Sequence, residues 1–371
     1  MTDRQTIALV LGTRPEIIKL APVLRELESR DHPYTLVHTG QHYSGNLNSV
    51  FFDQLNLKSP DYDLGVGSGS HGEQTGTMIR EVEVALNEID PAWVLVQGDT
   101  NSVLAGAIVT SKMDAKLGHI EAGLRSYDRT MPEEINRILT DHASDHLFAP
   151  TESAAANLAT EGISDRVTVT GNTVVDAVDQ HSDLAASEST VLDRFDLSPE
   201  EYLVLTAHRA ENVDAKERFQ SIVKGVSRAA DSVGFPVIYP IHPRAEERLS
   251  EFDLSIPENM QLVEPLDYLD FLHLQQHAAT MVTDSGGVQE ESCILETPCV
   301  TVRASTERPE TVTVGANELV GVDPAEIVAA VKAAVETDAD WKNPFGDGTA
   351  AEQILDIVCG NHVVDNTHVN R

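Results

Sequence analysis

The sequence predicts an α/β protein of two domains, each built on a parallel sheet, and three observations carry that prediction. The chain has 371 residues, more than the ~150 that one domain typically uses. Short, β-branched apolar runs alternate with longer amphipathic stretches from end to end, the pattern of strands joined by crossover helices. The runs are apolar at successive rather than alternate positions, so the strands are covered on both faces, as parallel strands are.

In chain order, strands are expected at Thr6–Leu11, Tyr34–His38, Trp93–Val96, Leu117–Ile120, His146–Ala149 and Val167–Thr170. A second series follows at Tyr202–Thr206, Val237–Ile241, Met260–Val263, Thr280–Thr283 and Cys299–Val302. Helices lie between them, among them Pro15–Arg30, Asn101–Lys112, Pro132–Ala143, Ala215–Ser232 and Val288–Leu295. The stretch Asp176–Glu201 carries no strand and is rich in acidic, Ser and Ala residues. The domain junction is therefore set after Gly171-Asn172, giving an N-terminal Rossmann-like domain of residues 1–172 and a C-terminal one of residues 173–371. Ala350–Val358 reads as a closing helix that could pack back on the first domain.

Composition narrows the functional classes. At 41% hydrophobic residues the chain can fill sizeable cores, which excludes wholesale disorder. No run approaches the ~20 apolar residues of a membrane span, and the first apolar segment leads straight into a glycine turn rather than a cleavage site. A cytoplasmic location is expected. Three cysteines without a CxxC pair argue against a disulfide framework or a cysteine metal site. Sixty acidic residues against 26 basic give a net charge of −34. The acids are scattered rather than gathered in a tail, which reads as a solvated surface adapted to high salt. Such a surface repels nucleic acid and anionic membranes, so neither is expected as a partner.

In open parallel sheets, ligands bind beyond the carboxyl ends of the strands. Those ends carry Gly12-Thr13-Arg14-Pro15-Glu16 with Lys19 one turn on, Gln97-Gly98-Asp99-Thr100, and Glu121-Ala122-Gly123 in the first half. In the second half they carry Ala207-His208-Arg209, His242-Pro243-Arg244 and Asp284-Ser285-Gly286-Gly287. Ser285-Gly286-Gly287 runs from a strand into a helix, where free N–H groups suit a phosphate, although a capped turn uses the same residues. Arg14 at a similar turn adds a guanidinium suited to phosphate oxygens. Two anion-receiving turns, one per domain, suit a diphosphate held across a cleft. Asp99, Glu121 and Glu133 form a set of carboxylates fit for proton transfer. On spacing alone, Pro132-Glu133-Glu134 is also an ordinary helix start, and Glu291 is also an ordinary charge near a helix N-terminus. His208 and His242 end two strands. With no HExxH-type spacing, a metal site is not expected.

Taken together, the motifs resemble the non-hydrolysing UDP-N-acetylglucosamine 2-epimerases. The matching stretches are Gly12–Leu20, Gln97–Ser102, His119–Ser126, Pro132–Thr140, Gly171–Ala177, Ala207–Val213, Glu264–Leu269, Thr283–Glu291 and Thr306–Glu310, spread over most of the chain. The resemblance implies a GT-B-like fold, two Rossmann-like domains facing across a cleft, and a homodimer. It implies conversion of UDP-N-acetylglucosamine to UDP-N-acetylmannosamine by elimination of UDP to 2-acetamidoglucal and re-addition, without a cofactor. By the same resemblance Asp99, Glu121, Glu133 and His208 are catalytic. Arg14, Ser285, Gly286 and Gly287 meet the phosphates, Glu291 the ribose and Phe271 the uracil, and Lys19 and Arg308 match active-site motif positions; His242 joins the substrate site by its strand-end position. Gln41, His42 and Gln74 match a second nucleotide-sugar site found in bacterial members. Glu73 stands where those members have arginine, so substrate activation is expected to be altered or absent, since a reversed charge weakens diphosphate binding. Arg209 is followed by Ala210, where many bacterial members have a second arginine. A modified UDP-sugar such as a diacetamido-uronate is an alternative substrate. A GT-B glycosyltransferase is the alternative of another class, against which the carboxylate set speaks.

Overall fold

The structure, a computed structural model, describes residues 6–41 and 51–360. The chain divides into two compact units, one running through Ala177 and resuming at Phe345, the other Val178–Pro344. Each is a parallel sheet covered by helices. No described helix is long and apolar enough to cross a membrane.

In the first unit the strands are β1 (Ile7–Leu11), β2 (Tyr34–His38), β3 (Tyr62–Asp63), β4 (Trp93–Gln97), β5 (Lys116–Ile120), β6 (His146–Ala149) and β7 (Val167–Val169). Its helices are α1 (Arg14–Ser29), α2 (His71–Ile89), α3 (Asn101–Thr110), α4 (Pro132–Ala143) and α5 (Glu152–Thr160). The sheet order is β3-β2-β1-β4-β5-β6-β7, with Leu9 beside Leu36 on one side and Leu95 on the other. Every residue of β1 is buried. Ala8 and Val10 share a core cluster with Val94 and Val96 of β4, Val82 and Leu86 of α2, and Val103 and Ala107 of α3. A strand so placed has no solvated face, hence its unbroken apolar run.

Helix α6 (Thr173–Glu188) carries the division between Ala177 and Val178, beyond the junction expected after Asn172. Its first turn is tied to the returning chain: the Asn172 N–H donates to the Phe345 carbonyl at 2.7 Å, and the buried Asp176 carboxylate accepts the Ala350 and Ala351 N–H groups. Those two N–H groups open α15 (Ala350–Val358), so Asp176 satisfies donors that a helix N-terminus leaves free. Helix α15 lies against α1, where Arg30 pairs with Asp356 at 2.8 Å.

In the second unit the strands are β8 (Leu203–Thr206), β9 (Val237–Pro240), β10 (Met260–Val263), β11 (Thr280–Thr283), β12 (Cys299–Thr301) and β13 (Asn317–Leu319). The helices are α7 (Val191–Phe195), α8 (Ala210–Val213), α9 (Lys216–Val233), α10 (Pro243–Glu251), α11 (Tyr268–Gln276), α12 (Gly286–Ile294), α13 (Pro309–Thr313) and α14 (Pro324–Val335). The order is β10-β9-β8-β11-β12-β13. Leu203 and Leu205 pack on Phe219 and Ile222 of α9 and Ile327 of α14, while Val204 faces the opposite cluster with Leu274 and Val288. This is period-2 alternation between two buried faces. Strands β3 and β13 are not among the strands expected from sequence, and α2 is one of several helices, with α5, α10, α11 and α14, not named there. The two strands are too short and polar to register as apolar runs, and Gly72 and Gly76 weaken the helical signal of α2.

In each sheet, chain direction across the sheet reverses at one place: between β1 and β4, and between β8 and β11. At such a switch point the loops leave in opposite directions and open a crevice. Gly12 stands at the first. A β-carbon there would lie 2.0 Å from Ser102 Oγ and 2.2 Å from Thr39 Oγ1, two buried hydroxyls bonded to each other at 2.7 Å. Gly12→Ala is expected to cost about 1–3 kcal/mol by overpacking, measured by denaturant unfolding.

Candidate active site

The turn from β1 into α1 is built around Glu16. Its buried carboxylate accepts the Gly12 N–H at 3.1 Å and the Thr13 hydroxyl at 2.6 Å through Oε2, and the Thr100 hydroxyl at 3.0 Å through Oε1. Burial pushes this carboxyl up to about 7, against the pull of those hydrogen bonds. Pro15 and Glu16 in the first helical turn are favourable local choices. They leave Arg14 exposed at the mouth, its guanidinium over the Phe51 ring at 4.6 Å.

A cavity of about 540 Å³ opens there. Arg14, Asp99, Glu133, Gln41 and Gln74 all line it, together with Asn101 and Asn136. Asp99 is held twice: Arg137 bonds its carboxylate, and the Asn136 amide donates to its carbonyl at 2.9 Å. The two acids of the α4 start have parted. Glu133 is exposed on the cavity wall, whereas Glu134 is buried and accepts the Ser126 and Tyr127 N–H groups, each at 2.9 Å, and the Arg137 guanidinium at 2.5 Å. Glu134 thus pins the loop after β5, and Arg137 links it to Asp99.

Glu121 sits beside Gly98, just past β5, with φ at +69°. A non-glycine residue held there costs of order 1–3 kcal/mol, and such strain concentrates at functional positions. Lys19 pairs with it at 2.7 Å, and the Gln97 amide donates to its other oxygen. His119, one strand position away from Ile120, reaches Asp141 at 2.7 Å and the Gly98 carbonyl at 2.8 Å, which props the turn carrying Asp99 from beneath.

The side chains of Gln41 and Gln74 are engaged within the wall. Gln41 Oε1 accepts from the Ser102 hydroxyl at 2.8 Å, and Gln74 Nε2 donates to the Gln41 carbonyl at 3.0 Å. Glu73 is exposed in the first turn of α2. His42 lies outside the described residues.

In the second unit, His208, His242, Phe271 and Ser285 line one pocket of about 250 Å³, with Ile241, Leu266 and Val288 supplying an apolar floor. Fully buried Asp284 organises its rim: it accepts the Arg209 N–H at 3.0 Å, the Asn212 amide at 3.1 Å, and pairs with His208 Nδ1 at 3.1 Å. Bonded through Nδ1, His208 keeps Nε2 for the pocket. His242 caps α10, its Nδ1 accepting the Arg244 N–H at 3.2 Å. Burial, with the charges of His208 and Arg244, holds its imidazole below the usual value.

Gly286 and Gly287 open α12 with Ser285 as N-cap. Neither has a positive φ, and a β-carbon would find its nearest neighbours at 3.9 Å and 4.0 Å. Neither conformation nor packing demands glycine here, unlike Gly12. An open approach to the helix N–H groups is what their bareness leaves. Glu291 is half-buried on the same helix, and Arg308 pairs with buried Glu290 at 2.6 Å. Arg303 grips Glu307 with two bonds of 2.8 and 2.9 Å, and Arg209 stands 3.6 Å from it.

Sequence reasoning passed over Glu16, Arg137 and Asp284 as functional groups. Arg137 had a signal, lying one turn beyond Glu133 and Glu134 on the same helix face. Asp284 and Glu16 stood in the strand-end motifs but were given no role of their own. Among the described residues no cluster suited to a metal ion occurs.

Burial raises the Glu307 carboxyl, but the Arg303 hydrogen bonds and the charges of Arg209 and Arg303 outweigh it and bring it to about 2. A carboxyl depressed from 4.5 contributes stability above pH 4.5 that is lost as pH falls toward 2. Glu307→Gln is expected to lower unfolding free energy by roughly 1–2 kcal/mol at pH 7, discounted for partial solvent screening. The gap closes as the pH falls through that window, followed by urea titration at each pH.

The UDP-N-acetylglucosamine 2-epimerase family profile matches residues 25–359. The UDP-N-acetylglucosamine 2-epimerase of Methanocaldococcus jannaschii is 50% identical over 359 residues, covering 95% of this chain and 98% of its own. The crystal structure of the M. jannaschii UDP-GlcNAc 2-epimerase in complex with UDP-GlcNAc and UDP superposes with a TM-score of 0.86 at 50% identity, over 95% of this chain and 99% of that one. The UDP-2,3-diacetamido-2,3-dideoxy-D-glucuronate 2-epimerase of Pseudomonas aeruginosa is 40% identical, over 95% of this chain and 99% of its own. Two parallel-sheet units of this kind make the fold GT-B-like, as the sequence led one to expect. This chain belongs to the UDP-N-acetylglucosamine 2-epimerase family, whose members are isomerases.

Proposed function

We propose that the chain interconverts UDP-N-acetylglucosamine and UDP-N-acetylmannosamine by elimination and re-addition of UDP. The observation that carries this reading is the meeting of Asp99 and Glu133 with Arg14 on one cavity wall, in a chain half identical to an enzyme of that name. Carbon 2 of the sugar is not next to a carbonyl, so its proton is barely acidic. Elimination avoids a free carbanion: a carboxylate takes the proton, the C–H electrons form the C1–C2 double bond, and the C1–O pair leaves on UDP. UDP then returns to carbon 1 while a proton is delivered to the opposite face of carbon 2. Asp99, Glu121 and Glu133 are the acid–base set, with Lys19 beside Glu121 and Arg137 fixing Asp99.

The leaving diphosphate is the largest charge to stabilise. Arg14 and the Ser285-Gly286-Gly287 turn serve it, His208 is oriented for it by Asp284, and Phe271 and the apolar floor around it receive the uracil. Glu291 serves the ribose, and Arg308, His242 and Lys19 complete the substrate contacts. The acidic surface is an adaptation to high salt, and the working assembly is a homodimer. Gln41, His42 and Gln74 mark the second nucleotide-sugar site, weakened by Glu73. The Pseudomonas relative favours one second reading, epimerisation of a diacetamido-uronate.

Incubation with UDP-N-acetylglucosamine in heavy water at molar salt, followed by NMR, tests the proposal. The expected product is UDP-N-acetylmannosamine carrying deuterium at carbon 2. An unexchanged substrate, or release of free sugar, overturns it; turnover of the diacetamido-uronate alone selects the second reading.

A further inference from the structure

Resting on the reading just given, we propose that Glu16 is a positioning residue that clips the arginine of the phosphate turn to the proton-transferring carboxylate. Its two carboxyl oxygens serve different turns. Oε2 takes the Thr13 hydroxyl at 2.6 Å and the Gly12 N–H at 3.1 Å; Oε1 takes the Thr100 hydroxyl at 3.0 Å. Thr13 immediately precedes Arg14, and Thr100 immediately follows Asp99. One carboxyl group therefore spans the switch point between β1 and β4 and fixes the separation of the two residues that must act on carbon 1 and carbon 2 together.

Glu16 does not itself line the cavity, whereas Thr13, Arg14, Asp99 and Thr100 all do. It is 3% exposed, so it works from beneath the site and touches no substrate. A helix-start role alone would be met by the Gly12 and Thr13 bonds; it leaves the bond to Thr100, 84 residues away in sequence, without a purpose. Reacting groups displaced by about 1 Å lose on the order of a hundredfold in rate, so a clip here acts on turnover far more than on nucleotide affinity, which the Ser285-Gly286-Gly287 turn also supplies.

The clip is tested with Glu16→Ala and Thr100→Val, which remove it, and Glu16→Gln and Thr100→Ser, which keep it. A glutamine carbonyl still accepts from Gly12 and Thr13 while its amide donates to the Thr100 oxygen. The first pair is expected to lose about tenfold or more in kcat, with UDP affinity by calorimetry within about twofold of wild type; the second pair stays within about threefold in kcat. Equal kcat in Thr100→Val and wild type, or a loss of UDP binding as large as the loss of kcat, overturns the clip. Thr100→Val decides should Glu16→Ala fail to fold, because Thr100 lies at an accessible helix cap. A wild type without epimerase activity strikes the proposed function instead. The clip is then judged by hydrogen exchange at the Gly12 amide, which Glu16→Ala must accelerate about tenfold or more.

Discussion

Strands buried on both faces carry a polar side chain only where it finds a partner, because it is otherwise desolvated at a cost. In this protein that constraint governs where chemistry can occur. β1 is apolar throughout, and β4 and β8 carry a polar residue only at their last position, Gln97 and Thr206, so the polar groups are displaced to the carboxyl ends. There the chain emerges as turns opening helices, glycine-bearing after β1, β4 and β11. Both switch points follow from the strand order alone, and Arg14, Asp99, His208 and Ser285 are simply the residues at those four ends. The fold selects the location and leaves the residue types to determine the reaction.

Holding several charges at such an edge requires a supporting layer. Glu134, Arg137 and Asn136 on α4 bear on Asp99, and Asp284 bears on His208. His119 and Asp141 support Gly98 from below, with Arg125 closing the network on Asp141 at 2.7 Å. Each buried charge has an opposite charge or a backbone donor beside it, which is what makes its burial tolerable. The strained backbone of Glu121 is held by Lys19 and Gln97 on its two oxygens. Removing one member of such a set leaves the rest uncompensated, so the members hold one another in place.

Much of this is legible in the residues alone. The long apolar strands, the turns after them and the glycine pair at α12 follow from local residue types, and nine quoted motifs lead to the family. Spacing alone does not separate Glu133 from Glu134; only the family resemblance singles out Glu133. Adjacent acids at a helix start look equivalent, yet a 100° turn per residue puts one on the cavity and buries the other. Pairings across long sequence distances, such as Glu16 with Thr100 or Arg308 with Glu290 on a different helix, carry no local signature. Strands β3 and β13 owe their existence to neighbours that offer an edge, so no pattern of their own announces them.

The bare helix start at Gly286-Gly287 is proposed to receive the nucleotide diphosphate. Calorimetric titration of UDP into Gly286→Ala measures it directly, because the added methyl group meets no protein atom closer than 3.9 Å and the fold is left unstrained. UDP affinity is expected to fall by about tenfold or more, some 1.4 kcal/mol, in a protein that melts with the wild type. A variant that binds UDP as tightly as the wild type would place the diphosphate elsewhere and contradict it.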